Sequence, residues 1–152
     1  MAILVVNATQ DEFETGFGPG GQTREHALLV RSLGVSQLIV AVNKLDTAGW
    51  SEPRFAEISA KLGKFLRKEV GFKEADLQFV PVSGLTGANL ATKDGVPADW
   101  IAAREDVPTL IQAIDRFRPP PRAVDKAFRM SVSDIFKPGQ GKGFCFSTGG
   151  KV

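Results

Sequence analysis

Three short apolar runs, each leading into a polar residue and separated by helix-patterned segments, constrain this chain more than any other feature. They are Ala2 to Val6, Leu38 to Val42 and Leu77 to Val82, followed by Asn7, Asn43 and Ser83. Runs this short and this rich in branched residues suit strands buried on both faces. Between them lie helical patterns. From Thr23 to Leu33, residues Ala27, Leu28, Val30 and Leu33 recur at helical spacing, and Gly34 follows as a C-cap. Ser51 is an N-cap, with Glu52 and Pro53 in the first turn, and Phe55, Ile58, Leu62, Phe65, Leu66 and Val70 form the apolar stripe. A third helix is predicted from Pro108 to about Phe117, with Leu110, Ile111 and Ile114 inward. Strands alternating with helices imply an α/β fold with a parallel sheet and right-handed crossovers. In such sheets ligands bind at the carboxyl ends of the strands. The loops that start near Asn7, Asn43 and Ser83 are therefore the candidate site.

The pattern changes at Arg118-Pro119-Pro120-Pro121-Arg122, which cannot continue a helix and reads as a stiff linker. Phe128 to Ile135 then alternates like a half-buried strand, Lys137 to Gly143 is a turn, and Phe144 to Thr148 reads as a second strand. Two strands do not make a stable module alone. The expected organisation is residues 1–118 as the later part of an α/β domain, 119–126 as linker, and 127–152 as the start of an all-β barrel. Both ends read as cut through an element, so the chain is expected to be a fragment.

Composition removes several function classes. Hydrophobic residues make up 43% and charged residues 24%, as in globular domains and unlike disordered chains. A formal charge of +2 is too small to argue for nucleic acid or membrane. The single cysteine, Cys145, excludes a disulfide framework and fits a reducing compartment, and the single histidine, His26, excludes a multi-histidine metal centre. No apolar run approaches the roughly 20 residues that cross a bilayer. Membrane association is therefore not expected.

Asn43-Lys44-Leu45-Asp46 carries the chemistry. At a strand's carboxyl end it can meet a planar base edge-on. The Asp46 carboxylate can accept from guanine N1–H and the 2-amino group together, a charge-assisted pair. Adenine has an acceptor at N1 and no 2-amino group, so the same carboxylate would reject it. Asn43 can serve the N7/O6 side, and the Lys44 stem can lie over the base. A solvated turn made of common turn residues is the bland alternative. The next strand ends in Ser83-Gly84-Leu85, where backbone N–H groups can meet the base carbonyl. The two loops together favour guanine recognition over either plain turn.

These motifs carry a family resemblance. The chain resembles the translational GTPases of the elongation factor 1-alpha class. Gly21-Gln22-Thr23-Arg24-Glu25-His26-Ala27-Leu28-Leu29 looks like the helix after that class's second switch. Asn43-Lys44-Leu45-Asp46 and Ser83-Gly84-Leu85 are similar to its fourth and fifth guanine-nucleotide motifs. Phe13 to Phe17, Val30 to Val35, Asn89 to Lys93 and Phe136 to Phe146 look most like the HBS-like ribosome-rescue factors, and Ser83 to Leu90 is also similar to release factor three. The resemblance covers nearly the whole chain. It implies the sheet part of a P-loop GTPase domain followed by the first strands of a β-barrel. It implies GTP or GDP as ligand, with Mg2+ in the full-length parent only, and a cytoplasmic protein whose partners are the ribosome and a pelota-like protein. GTP hydrolysis is implied for the parent.

Departures from the pattern are equally specific. No Gly-x-x-x-x-Gly-Lys-Ser/Thr run occurs, and Gly141-Lys142 is followed by Gly143 rather than a hydroxyl residue. The switch threonine and the Asp-x-x-Gly-His segment are absent, and Asn7 stands where the class usually has Asp. His26 does not inherit the role of the switch histidine and reads as structural or interfacial. Catalytic residues are expected to be absent from this chain, and so are metal ligands. Asp11, Glu12 and Glu14, with the glycines from Gly16 to Gly21, read as solvated loop. The basic face of Lys61, Lys64, Arg67, Lys68 and Lys73 reads as solvated, with ribosomal RNA as its alternative partner. The competing functional reading is a truncated, non-catalytic module that docks a partner protein or the ribosome through the Gln22 to Leu33 helix or the β strands.

Overall fold

The computed structural model describes residues 1–97, 99–102, 106–119, 127, 134–136 and 145–147. The three apolar runs become strands β1 (Ala2–Asn7), β2 (Leu38–Asn43) and β3 (Leu77–Pro81) of one parallel sheet, in the order β1-β2-β3. Ala2 pairs with Leu38 and Asn7 with Asn43, while Leu38 pairs with Leu77 and Val42 with Pro81. This register lines up the polar strand ends, as the candidate site requires. β2 is central and its apolar residues are fully buried. Pro81 is tolerated because β3 lies at the sheet edge, where its missing N–H breaks no ladder.

Alternation along the strands divides the core in two. Leu4, Val6, Val40 and Val42 face α3 (Glu52–Lys68) and its Ile58, Leu62, Phe65 and Leu66, with Ala27 of α2 (Gln22–Ser32) joining them. Each of these valine, leucine, isoleucine and phenylalanine side chains contributes about 1.5–3 kcal/mol by leaving water. Ile39, Ala41, Val80 and Val82 face the opposite way, against Ala113 of α5 (Leu110–Asp115). Ile3 and Val5 lie on that second face, beyond the reach of α5, and remain exposed.

Local signals explain most boundaries. The Ser51 hydroxyl accepts from the Arg54 N–H and caps α3, with Pro53 in its first turn. α5 starts two residues later than the proline suggests, because Thr109 and Gln112 form a reciprocal capping box. Its inward face also differs from the expectation. Leu110, Ala113 and Phe117 pack on the sheet, whereas Ile111 and Ile114 are exposed. Leu28 and Leu33 of the α2 segment are exposed as well, and so is His26, which has no buried structural role.

Glu12–Phe17, expected as loop, is a short helix, α1. Phe13 is buried and stacks on Phe17 at 5.4 Å, which pins a sequence otherwise too polar for a visible stripe. The chain then turns at Gly21, where a Cβ would fall 2.2 Å from the Gly16 carbonyl oxygen, so glycine is required by close approach. A further short helix, α4 (Asp99–Ala102), sits before α5.

The chain divides into two compact units, Met1–Arg118 and Pro119–Val152. In the second, β4 (Asp134–Phe136) pairs antiparallel with β5 (Cys145–Ser147), with Asp134 opposite Ser147. Cys145 is in β5, within the strand expected there. The expected strand residues Phe128 to Ser133, the turn at Lys137 to Gly143, and the linker positions 120–126 lie outside the described residues.

Candidate functional site

The carboxyl ends of β2 and β3 hold the two motif loops side by side. The Asn43 Oδ1 accepts from the Gly84 backbone N–H at 2.8 Å, tying the Asn43-Lys44-Leu45-Asp46 loop to the Ser83-Gly84-Leu85 loop. This contact needs a small residue at 84, since a Cβ there would stand 3.3 Å from Asn43 Oδ1 and 3.5 Å from Nδ2. Lys44 takes a left-handed backbone, with φ 59°, at the start of the turn. A non-glycine residue there costs about 1–3 kcal/mol and is a common mark of functional loops. The turn is held by the Thr47 hydroxyl donating to the Lys44 carbonyl at 2.8 Å, and by the fully buried Leu45 side chain. Lys44 Nζ lies 3.2 Å from Glu12 of α1, which also accepts from the Asn7 amide. The ends of β1 and β2 are thus linked through side chains as well as by register.

Asp46 is the unusual member. Its Oδ1 is buried and has no hydrogen-bond partner among the described residues. A buried carboxylate oxygen without a donor is expensive, costing more than the roughly 1–3 kcal/mol of a neutral group. A ligand with paired N–H groups would supply what the protein leaves out. The residues present therefore fit the donor edge of guanine.

The second loop is rigid from within. Ser83 is fully buried, its N–H donates to the Ala88 carbonyl at 3.1 Å, and its hydroxyl accepts from the Thr86 N–H. Leu85 is 90% exposed at the tip, so its side chain is not buried against the described residues. Below the loop, Asn89 is buried with φ 58° and donates to the Pro81 and Pro108 carbonyls at 2.8 and 3.2 Å. It joins the end of β3 to the start of α5. This bracing role was not read from the sequence, where an Asn in a Gly-Ala-Asn-Leu turn carries no sign of its partner nearly twenty residues on.

A second brace supports the loop after β1. Arg54 of α3 donates to the Ala8 carbonyl at 3.0 Å and pairs with Glu14 of α1 and with Glu57 at 2.9 and 3.0 Å. The Arg54 hydrogen bond is the main cause that holds the Glu14 carboxyl below its ordinary value of 4.5. Glu57 is lowered too, chiefly by its hydrogen bond from Lys61 and then by Arg54. Both shifts are depressions, so the stability they add is present above the ordinary carboxylate range. It is lost as pH falls through the lowered values. Urea midpoints are expected to fall as the solution is acidified below about pH 4.5. Arg54→Met should flatten that dependence, and an unchanged acid limb in the variant would contradict the assignment.

The basic face of α3 is partly paired. Lys61 lies 2.6 Å from Glu57 and Arg67 lies 2.8 Å from Glu74. No group of three or more potential metal-ligating side chains occurs among the described residues. No described helix is long and apolar enough to cross a membrane.

Residues 1–120 match the family described as "Elongation factor Tu GTP binding domain". The chain belongs to that family. Relatives within the wider class are substantial: Protein HBS1 of Drosophila melanogaster is 57% identical over 97% of this chain and 21% of its own length. The elongation factor 1 alpha-like protein of Schizosaccharomyces pombe is 45% identical over 90% of this chain and 22% of its own. Among solved structures, Sup35 complexed with GMPPNP superimposes with a TM-score of 0.68 at 36% identity, over 90% of this chain and 33% of that one. The GTPase-like domain of Saccharomyces cerevisiae Ski7, bound to GTP, gives 0.63 at 25% identity, over 74% and 25%. The chain thus spans about a fifth of the two curated relatives' lengths and a quarter to a third of the solved chains. The parallel α/β sheet is that of an elongation factor Tu GTP-binding domain, as the family resemblance implies.

Proposed function

We propose that this chain is the guanine-recognition part of a translational GTPase of the HBS-like kind. The partnerless, buried Oδ1 of Asp46, in a loop clamped by Asn43 to Gly84, is the observation that carries the reading. In this role Asp46 accepts from guanine N1–H and the 2-amino group. Asn43 orients the second loop with its oxygen and keeps its amide for the N7/O6 edge. Lys44 covers the base with its stem, and the backbone of Ser83, Gly84 and Leu85 faces the base carbonyl. GTP and GDP are the ligands. Phosphate cradling, Mg2+ and the positioned water belong to residues of the parent protein outside these 152. Residues 119–126 are the linker and 127–152 open the barrel. The parent hydrolyses GTP in the cytoplasm, at the ribosome, with a pelota-like partner.

The family match and the GMPPNP and GTP complexes of similar proteins support this reading. Calorimetry on the intact parent tests it, with GTP and GDP expected to bind and ATP expected to be rejected. Equal binding of ATP would overturn it. The 152-residue chain by itself is expected neither to release phosphate from GTP above buffer nor to reach micromolar affinity. Base contacts alone must also offset the entropy of association.

Gly84→Ala is a milder test in the parent. Gly84 has no left-handed backbone to strain, so the effect comes from the added Cβ pressing on Asn43. GTP affinity is expected to fall about 2- to 10-fold, the net worth of one neutral hydrogen bond. An unchanged dissociation constant would separate the two loops functionally.

A docking module remains the second reading, favoured by Leu28, Leu29 and Leu33, which are 49%, 55% and 65% exposed along one helical segment. Under that reading, aspartate substitutions at these three positions would abolish partner binding while leaving guanine nucleotides unbound in the parent with or without them.

A further inference from the structure

Beside the Asn43-Lys44-Leu45-Asp46 loop, polar side chains from the end of β1 and the start of α1 close into a ring with the turn that follows β2. The Thr47 hydroxyl donates its proton to the Lys44 carbonyl at 2.8 Å. Its oxygen lies 3.0 Å from the Thr9 hydroxyl, and Thr9 is the donor there because the Thr47 proton is already placed. The Thr9 backbone N–H donates to Asn7 Oδ1 at 3.0 Å. That bond engages the amide oxygen and leaves the Asn7 amide nitrogen to donate to Glu12 Oε2. The same carboxylate oxygen receives Lys44 Nζ at 3.2 Å, which returns the ring to its start. The backbone spans the same gap, since the Ala8 N–H donates to the Asn43 carbonyl at 2.8 Å. Glu12 is therefore held from the β1 side while it holds Lys44 on the β2 side.

We propose that Glu12 is a positioning residue for the nucleotide base, acting through Lys44; this rests on the guanine-recognition reading above. A free lysine side chain samples many rotamers, and a stem that is to lie over a base loses that freedom on binding. Two features remove part of the loss beforehand. The left-handed backbone at Lys44, with φ 59°, sets the direction in which its Cβ leaves the loop. The Glu12 carboxylate then fixes the far end of the stem. An isolated surface ion pair would do little, and these two side chains are 51% and 54% exposed. This pair differs because its carboxylate is oriented by Asn7, which is oriented in turn by Thr9. Such a network is the setting in which exposed charges count. The base is common to GTP and GDP, so the anchored stem serves both nucleotides alike.

The test measures release of GDP and of GMPPNP, each with a fluorescent methylanthraniloyl group on the ribose, from the intact parent. Glu12→Ala is expected to release both nucleotides about 2- to 5-fold faster than the wild type, the range set by exposed ion pairs. Glu12→Gln, which keeps an acceptor but no charge, should fall between the two. In a Lys44→Met background, Glu12→Ala should make no further difference, because the anchor then has nothing to hold. Unchanged release from Glu12→Ala would overturn the proposal. So would equal acceleration in both backgrounds, which would mean that Glu12 acts through the fold of the loop after β1 and not through Lys44. Asp46→Asn, measured alongside, separates this proposal from the reading it rests on. Fast release from Asp46→Asn with wild-type release from Glu12→Ala would strike Glu12 alone. Wild-type release from both would remove the guanine reading and this proposal together.

Discussion

Asp46→Asn is expected to weaken GTP binding to the intact parent by about 2–4 kcal/mol, or roughly 30- to 1000-fold. The wild-type carboxylate offers acceptor lone pairs only, and one of its oxygens is buried without a donor. An amide in the same space presents one acceptor and one donor. Guanine's 2-amino group then faces an N–H, and one or two charge-assisted bonds disappear. Fold stability without nucleotide should hold or rise, because the neutral amide relieves a buried carboxylate oxygen that no described residue donates to. A substitution that costs binding heavily and folding little is the signature of a ligand contact. If Asp46 were a turn residue instead, the order of the two effects would reverse. Thermal unfolding without nucleotide, set beside the dissociation constant, distinguishes these outcomes.

Asn89→Ala should show the opposite balance, with a loss of about 2–4 kcal/mol in folding stability. Two carbonyls, those of Pro81 and Pro108, lose the donor that Asn89 supplies from a fully buried position. Each orphaned carbonyl costs about 1–3 kcal/mol, reduced somewhat because the partnerless Asn89 Oδ1 is removed as well. Alanine also fits poorly at φ 58°, a region that asparagine tolerates and glycine prefers. Asn89→Gly should therefore recover about 1 kcal/mol relative to alanine. Urea unfolding of the three proteins checks the series. Nucleotide affinity should fall secondarily, since Asn89 anchors the base of the Ser83 to Leu85 loop. Equal stabilities for asparagine and alanine would remove Asn89 as a brace.

What could be read in advance follows from where the information lies. β2 was legible because Leu-Ile-Val-Ala-Val is apolar at every position, which only a central strand covered on both sides explains. α3 was legible because its stripe, its Ser51 cap and its proline agree. α1 was not, because a single buried aromatic, Phe13, among Glu12, Glu14 and Thr15 leaves no periodicity to detect. α4 is too short for any period. Ile111 and Ile114 were misassigned because hydrophobicity does not say which of two adjacent helical stripes meets the sheet. Leu110, Ala113 and Phe117 took that face. In the site, Asn43, Asp46 and Ser83 were visible as motif residues at strand ends. The Asn43–Gly84 bond and the Lys44–Glu12 pair were not, since only the sheet order brings their residues together, and the Asn89 brace was not, since it depends on how the segment before α5 folds back onto the end of β3.

Under the proposed function, Asp46 reads the 2-amino edge of guanine. Xanthine carries a carbonyl at that position, which an asparagine amide can satisfy and an aspartate repels. Competition binding of GTP, XTP and ATP to the intact parent and its Asp46→Asn variant tests this directly. The wild type should prefer GTP, and the variant should prefer XTP, with ATP poor for both. The same nucleotide ranking in the two proteins would take Asp46 out of the base site and contradict the account.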